Sequence, residues 1–138
     1  MSLVLDSSTA LAWLYQDEVN ALAEAVRRRV IIAGAWVPGI WRLEVANGLR
    51  TGLRRRRIDQ NYRDHALATL AMLNIRVDAE TDKQAWSAAL QLSDRFGLTS
   101  YDAAYLELAR RRSLPVATFD TELRDAATSI GLAVIDDD

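Results

Sequence analysis

Short apolar runs of strand length alternate with longer stretches of helical period along the whole chain. Residues 2–6, SLVLD, read as a buried strand, and residues 7–15 as a helix opened by a Ser/Thr-rich turn able to cap it. From residue 17 to about residue 29 the pattern is amphipathic, with Leu22, Ala25 and Val26 on one face. A second strand is expected at residues 31–37, closed by Pro38-Gly39. Helices over 40–55 and 59–73 follow, then a strand at 75–77 and a helix over 82–96 that stops at Gly97. A helix over 100–112, with Ser100 as its N-cap, leads into a strand at 115–119. A helix over 121–130, ended by Gly131, and a strand at 132–135 complete the set.

Strands this short and apolar, each separated by helix, predict a mostly parallel sheet covered on both faces. The expected architecture is a three-layer α/β/α fold with about five strands and about seven helices. At 138 residues, without repeats, low-complexity stretches or a Pro/Ser/Gly linker, residues 1–138 read as a single domain.

In such sheets, sites form beyond the carboxyl ends of the strands. Two carboxylates stand there, Asp6 after Leu3-Val4-Leu5 and Asp120 after Val116-Ala117-Thr118-Phe119. Asp102 lies in the first turn of the helix opened near Ser100. Glu44 sits inside a helix between Leu43 and Val45, on one stripe with Ile40 and Asn47. Each has a purely structural alternative: Asp6 and Asp120 as helix N-caps, Asp102 as a complement to a helix dipole. Taken together, four acids on one site would repel one another unless a cation bound there. Hard cations such as Mg²⁺ or Mn²⁺ take carboxylate oxygens, activate water and stabilise charge on phosphate.

Composition narrows the chemistry further. The chain has no cysteine and one histidine, His65, so disulfides, thiolate zinc sites, cysteine nucleophiles and multi-histidine metal sites are excluded. Net charge is −2, against binding nucleic acid by overall charge alone. All 17 basic residues except Lys83 are arginine, and many fall in three clusters: Arg27, Arg28 and Arg29; Arg54, Arg55, Arg56 and Arg57; Arg110, Arg111 and Arg112. All three clusters fall near expected helix carboxyl ends, where the macrodipole favours cations. The middle one, ten to thirteen residues beyond Glu44, is the better candidate for contacts to nucleotides flanking a cleaved phosphate, with Arg42 as a nearer one. Trp13, Trp36, Trp41 and Trp86 read as core or interface, Trp13 and Tyr15 as lining for a partner groove, His65 and Asp125 as without a direct role. The amino terminus has no basic and apolar leader and no run approaches a membrane span, so a cytoplasmic protein is expected.

The segments Val4-Leu5-Asp6-Ser7-Ser8, Leu43-Glu44-Val45-Ala46-Asn47, Leu98-Thr99-Ser100-Tyr101-Asp102-Ala103-Ala104-Tyr105-Leu106 and Ala117-Thr118-Phe119-Asp120-Thr121-Glu122-Leu123, in this order and spacing, resemble PIN-domain nucleases. They look most like the VapC-type toxin ribonucleases of type II toxin–antitoxin pairs. The resemblance implies a PIN-like fold and a metal-dependent endoribonuclease in which Asp6 and Asp102 are main metal ligands and Glu44 and Asp120 complete the set. It implies Thr118 as an orienting hydroxyl and, with Ser7, Asn47 as a supporting polar group. It further implies an RNA substrate, a homodimer and a small VapB-like antitoxin as partner. A phosphoacceptor receiver domain is disfavoured, because Asp6 is followed by Ser7-Ser8 and Lys83 lies far from the last strand. Two alternatives stay open: a stand-alone PIN nuclease in RNA processing, against which the short length is weighed, and a noncatalytic protein-binding module on the same fold, against which the full acid set is weighed.

Overall fold

Four parallel strands of two or three residues form the centre of the computed structural model, which describes residues 1–15 and 20–136. Their order is β3 (Ile75–Val77), β2 (Ala35–Val37), β1 (Val4–Leu5), β4 (Val116–Ala117). The register pairs Val4 with both Trp36 and Val116, and Leu5 with Ala117. Leu3, Val4, Leu5, Val37, Val116 and Ala117 are buried, as a parallel sheet covered on two faces requires. At the edge, β3 exposes Arg76 and Val77.

The described helices are α1 (Ser7–Leu14), α2 (Ala21–Ala33), α3 (Trp41–Arg54), α4 (Gln60–Ala71), α5 (Thr81–Gln84), α6 (Ala88–Phe96), α7 (Ser100–Arg112) and α8 (Thr121–Ser129). In α7 every residue from 103 to 109 is buried, including Glu107, so this helix is enclosed on all sides. Its carboxyl end carries an ion network. Arg111 donates to Glu107 (2.7 Å) and to the buried Asp78 (2.6 Å), and Arg112 donates to Asp78 (3.0 Å) while stacking 3.6 Å over the Trp36 ring.

Between α1 and α3, small residues set the distance. A Cβ on Gly48 would come within 2.4 Å of Leu11, and one on Gly52 within 2.1 Å of the Tyr15 hydroxyl. Tyr15 donates that hydroxyl to the Gly48 carbonyl at 2.7 Å. Positions 11 and 15 thus meet 48 and 52, one helical turn apart on each helix, and the same register carries Ser7 to Glu44.

Several boundaries differ from expectation. The start of the second helix at residue 17 lies outside the described residues; Asn20 caps α2 through the Ala23 amide at 2.9 Å. The strand expected at 31–37 begins only at Ala35, because α2 continues through Ile31 and Ile32, which are exposed. Gly34, at φ 76°, makes the turn, and a Cβ there would strike the Asn74 carbonyl at 2.8 Å. The helix expected over 82–96 is two helices with separate anchors: Thr81 ties α5 to the Gly39 amide (2.9 Å), while α6 buries Ala89 and Leu92. Between them Trp86 is exposed, so it is not part of the core of this chain. The N-cap of α7 is Thr99, not Ser100, its hydroxyl accepting from the Asp102 amide at 3.1 Å. The last strand shrinks to a single bridge, Val134 to Val116, beside a buried Ile135.

Candidate functional site

Pairing of β1 with β4 carries Asp6 and Thr118 out of the sheet side by side, each one residue beyond the Leu5–Ala117 pair. Asp6 is buried, and its Oδ2 accepts from Thr118 Oγ1 (2.6 Å) and Ser8 Oγ (2.7 Å). Although it occupies the N-cap position of α1, its side chain makes no capping bond, so the structural alternative fails for this residue. Burial pushes its carboxyl above the ordinary range; the two hydroxyls oppose this and the Asp120 charge adds to it.

Asp120 does cap a helix: its Oδ1 accepts from the amides of Glu122 (2.9 Å) and Leu123 (3.2 Å) at the start of α8. Its own amide donates to Thr118 Oγ1 at 2.9 Å, so one threonine hydroxyl links both strand-end acids. Asp102, half-buried in the first turn of α7, lies within hydrogen-bonding reach of Asp120. Burial, and then the negative charges of Asp120 and Asp6, raise its carboxyl to about 6, with Glu44 contributing as well.

Glu44 is half-buried in the first turn of α3. Its Oε1 accepts from the fully buried Tyr105 hydroxyl at 2.5 Å, and the Ser7 hydroxyl lies within hydrogen-bonding reach of the same carboxylate. Burial raises the Glu44 carboxyl; the Tyr105 bond opposes this and the Asp6 charge reinforces it. Ends of two strands and first turns of two helices therefore bring the four acids into one cluster, in which Asp6 and Asp102 each feel the charge of the others. Among the described residues, no three acidic or histidine side chains yet converge closely enough to hold one ion. Each is drawn to its own partners, Asp6 to hydroxyls, Asp120 to the α8 amides, Glu44 to Tyr105. The all-oxygen donor set suits a hard cation in kind, and side-chain rotation would have to complete it.

The other expected residues divide. Ser7 and Thr118 are part of the cluster. Asn47 is exposed one turn beyond Glu44, with no hydrogen bond to the acids among the described residues. Arg42 is exposed at the edge of a cavity of about 280 Å³ that it shares with Trp41, Leu67 and Leu70. Arg54, Arg55, Arg56 and Arg57 are exposed where α3 ends; Arg54 lies roughly 15 Å from Glu44 at 1.5 Å per residue, and beyond it the chain turns back, the Arg57 amide donating to the Gly52 carbonyl at 2.8 Å. Arg56 and Arg57 border an open cavity of about 770 Å³ with Leu53, Ile58, Asp59 and Tyr62, and the Arg57 guanidinium lies 4.2 Å above the Tyr15 ring. In the other clusters, Arg27 pairs with Glu24, while Arg111 and Arg112 are held by Asp78. His65 and Asp125 are exposed. Trp13 donates to the Ala23 carbonyl at 2.7 Å.

Two contacts were missed in the sequence, Tyr105 on Glu44 and Ser8 on Asp6. Tyr105 stands three residues after Asp102 and so on the same face of α7, a spacing that could have flagged it.

Comparison with known proteins bears on the fold. The family model for the PIN domain matches residues 3–129. No curated protein matches the chain. Among solved structures, the crystal structure of PAE2754 from Pyrobaculum aerophilum superposes with a TM-score of 0.66 at 23% identity, covering 91% of this chain and 87% of that one. The crystal structure of FitAcB from Neisseria gonorrhoeae gives 0.64 at 21% identity, covering 99% and 98%. No helix among the described residues is long and apolar enough to cross a membrane.

Proposed function

The chain belongs to the PIN-domain family, and from that membership and the acid cluster we propose that it is a Mg²⁺- or Mn²⁺-dependent endoribonuclease acting as the toxin of a toxin–antitoxin pair. PIN domains are in general nucleases that use divalent metal ions. The observation that carries the reading to this chain is the convergence of the acids: one Thr118 hydroxyl links Asp6 and Asp120, and Asp102 stands within hydrogen-bonding reach of Asp120 and in the field of Asp6 and Glu44. An anionic cluster of this kind is relieved by a cation.

In this reading Asp6, Glu44, Asp102 and Asp120 hold the ion. When bound, the ion supplies an activated water and offsets charge on the phosphate and leaving oxygens. Thr118 and Ser8 orient Asp6, and Thr118 fixes Asp120 through its amide. Ser7 steadies Glu44, and Asn47 stands nearby as a polar group for the substrate. Arg42, Arg54, Arg55, Arg56 and Arg57 contribute salt-dependent contacts to RNA flanking the cut. A small VapB-like antitoxin and a homodimer, in the cytoplasm, follow from the resemblance to the VapC branch.

The test is cleavage of end-labelled RNA by purified protein in Mn²⁺ or Mg²⁺ and in EDTA. The proposal expects cleavage with either ion and none in EDTA; undiminished cleavage in EDTA would overturn it. Expression without a partner should arrest growth, with relief by a small neighbouring protein, whereas harmless expression of active enzyme would favour RNA processing instead.

A further inference from the structure

We propose that Tyr105 is a positioning residue, whose buried hydroxyl fixes Glu44 for the metal ion; the inference rests on the metal-dependent reading above. Tyr105 is fully buried in the middle of α7, and its hydroxyl donates to Glu44 Oε1 at 2.5 Å. A phenol enclosed this deeply needs a partner for its O–H. The partner here is a carboxylate from a different helix, 61 residues away in sequence.

The Ser7 hydroxyl lies within hydrogen-bonding reach of both Tyr105 and Glu44, so residues of α1, α3 and α7 meet at this point. Ser7 reaches that point because the Gly48 and Gly52 contacts keep α1 close against α3.

The consequence is geometric. A glutamate has three side-chain torsions, and ordering one costs up to about 2 kcal/mol in rotamer freedom. With Oε1 held by Tyr105, that ordering would precede ion binding, so the carboxylate would already be placed to hold the ion. Asp6 is held by the strand-end Thr118 and Asp120 by the α8 amides, whereas Glu44 depends on the Tyr105 hydroxyl. Partners of this outer kind change metal affinity by about 10- to 100-fold when removed.

Tyr105→Phe keeps the ring and deletes only the hydroxyl. Mn²⁺ affinity of the intact protein, measured by calorimetry well below the melting temperature, should fall by roughly tenfold or more. Glu44→Gln serves as the second variant: adding Tyr105→Phe to it should cause no further loss, because the carboxylate that the hydroxyl positions is gone. A hydroxyl with a purely structural role would lower the melting temperature and leave Mn²⁺ affinity unchanged in both backgrounds, and that result would overturn the inference. Failure of the wild-type protein to bind Mn²⁺ would instead overturn the metal-dependent reading on which it rests.

Discussion

Removing charge from Asp102 should stabilise the ion-free protein while disabling it. The Asp102 carboxyl stands at about 6 in the fold against an ordinary 3.8. At 1.36 kcal/mol for each unit of pKa, the ionised form opposes folding by about 3 kcal/mol at full strength. Asp102 is only half-buried, so solvent screening brings this to about 1–2 kcal/mol. Asp102→Asn also gives up a favourable charge in the first turn of α7, worth about 0.3–1 kcal/mol. The net expectation in EDTA is a gain of about 0.5–1 kcal/mol at pH 8, a rise of a few degrees in melting temperature. The sign follows from linkage. With its value raised in the fold, Asp102 costs nothing while both states are protonated. The cost grows as pH rises from about 3.8 and is complete above about 6. The gain from Asp102→Asn should therefore appear between pH 4 and 6 and persist above. Added Mn²⁺ should raise the melting temperature of the wild type and do little for the variant. A loss of stability in EDTA at pH 8, or a gain independent of pH, would refute the electrostatic argument.

Two further perturbations test other parts of the molecule. Asp78→Ala leaves Arg111 with Glu107 alone and Arg112 without an acidic partner among the described residues, and should cost about 3 kcal/mol in urea unfolding. Burial pushes the Asp78 carboxyl up, but bonds and charge from the two arginines outweigh it and hold it below 3.8, so the cost should be full above that pH and fade as acid protonates Asp78; a cost that persists unchanged in strong acid would refute this. Replacing Arg54, Arg55, Arg56 and Arg57 by glutamine should weaken RNA binding and flatten its salt dependence, as read by titration at several salt concentrations; an unchanged slope would assign these side chains to capping α3.

Layering and order of elements were legible because the strands are apolar runs bounded by turn residues, and the acids stand where such a sheet ends. What escaped was set by tertiary contacts. Ile31 and Ile32 look like strand, yet Gly34 and Asn74 decide where the chain turns. Nothing in the period of residues 82–96 reveals that Thr81 is tethered to Gly39 while α6 packs independently. The arginines at 111 and 112 read alike as surface charge or RNA contact until Asp78, 33 and 34 residues away, is seen between them. Within the site, the residue types could be read but their present partners could not. Asp120 proves to be a helix cap as well as a member of the cluster.

Cleavage of one labelled RNA in saturating Mn²⁺ by Asp6→Asn, Glu44→Gln, Asp102→Asn and Asp120→Asn, each first shown to fold, tests the four-acid site most directly. Loss of a charged ligand should lower the single-turnover rate in every variant, by about two orders of magnitude or more for Asp6 and Asp102, since metal stabilisation is worth several kcal/mol and 1.36 kcal/mol is tenfold. Cleavage near the wild-type rate in both Asp6→Asn and Asp102→Asn would contradict the account.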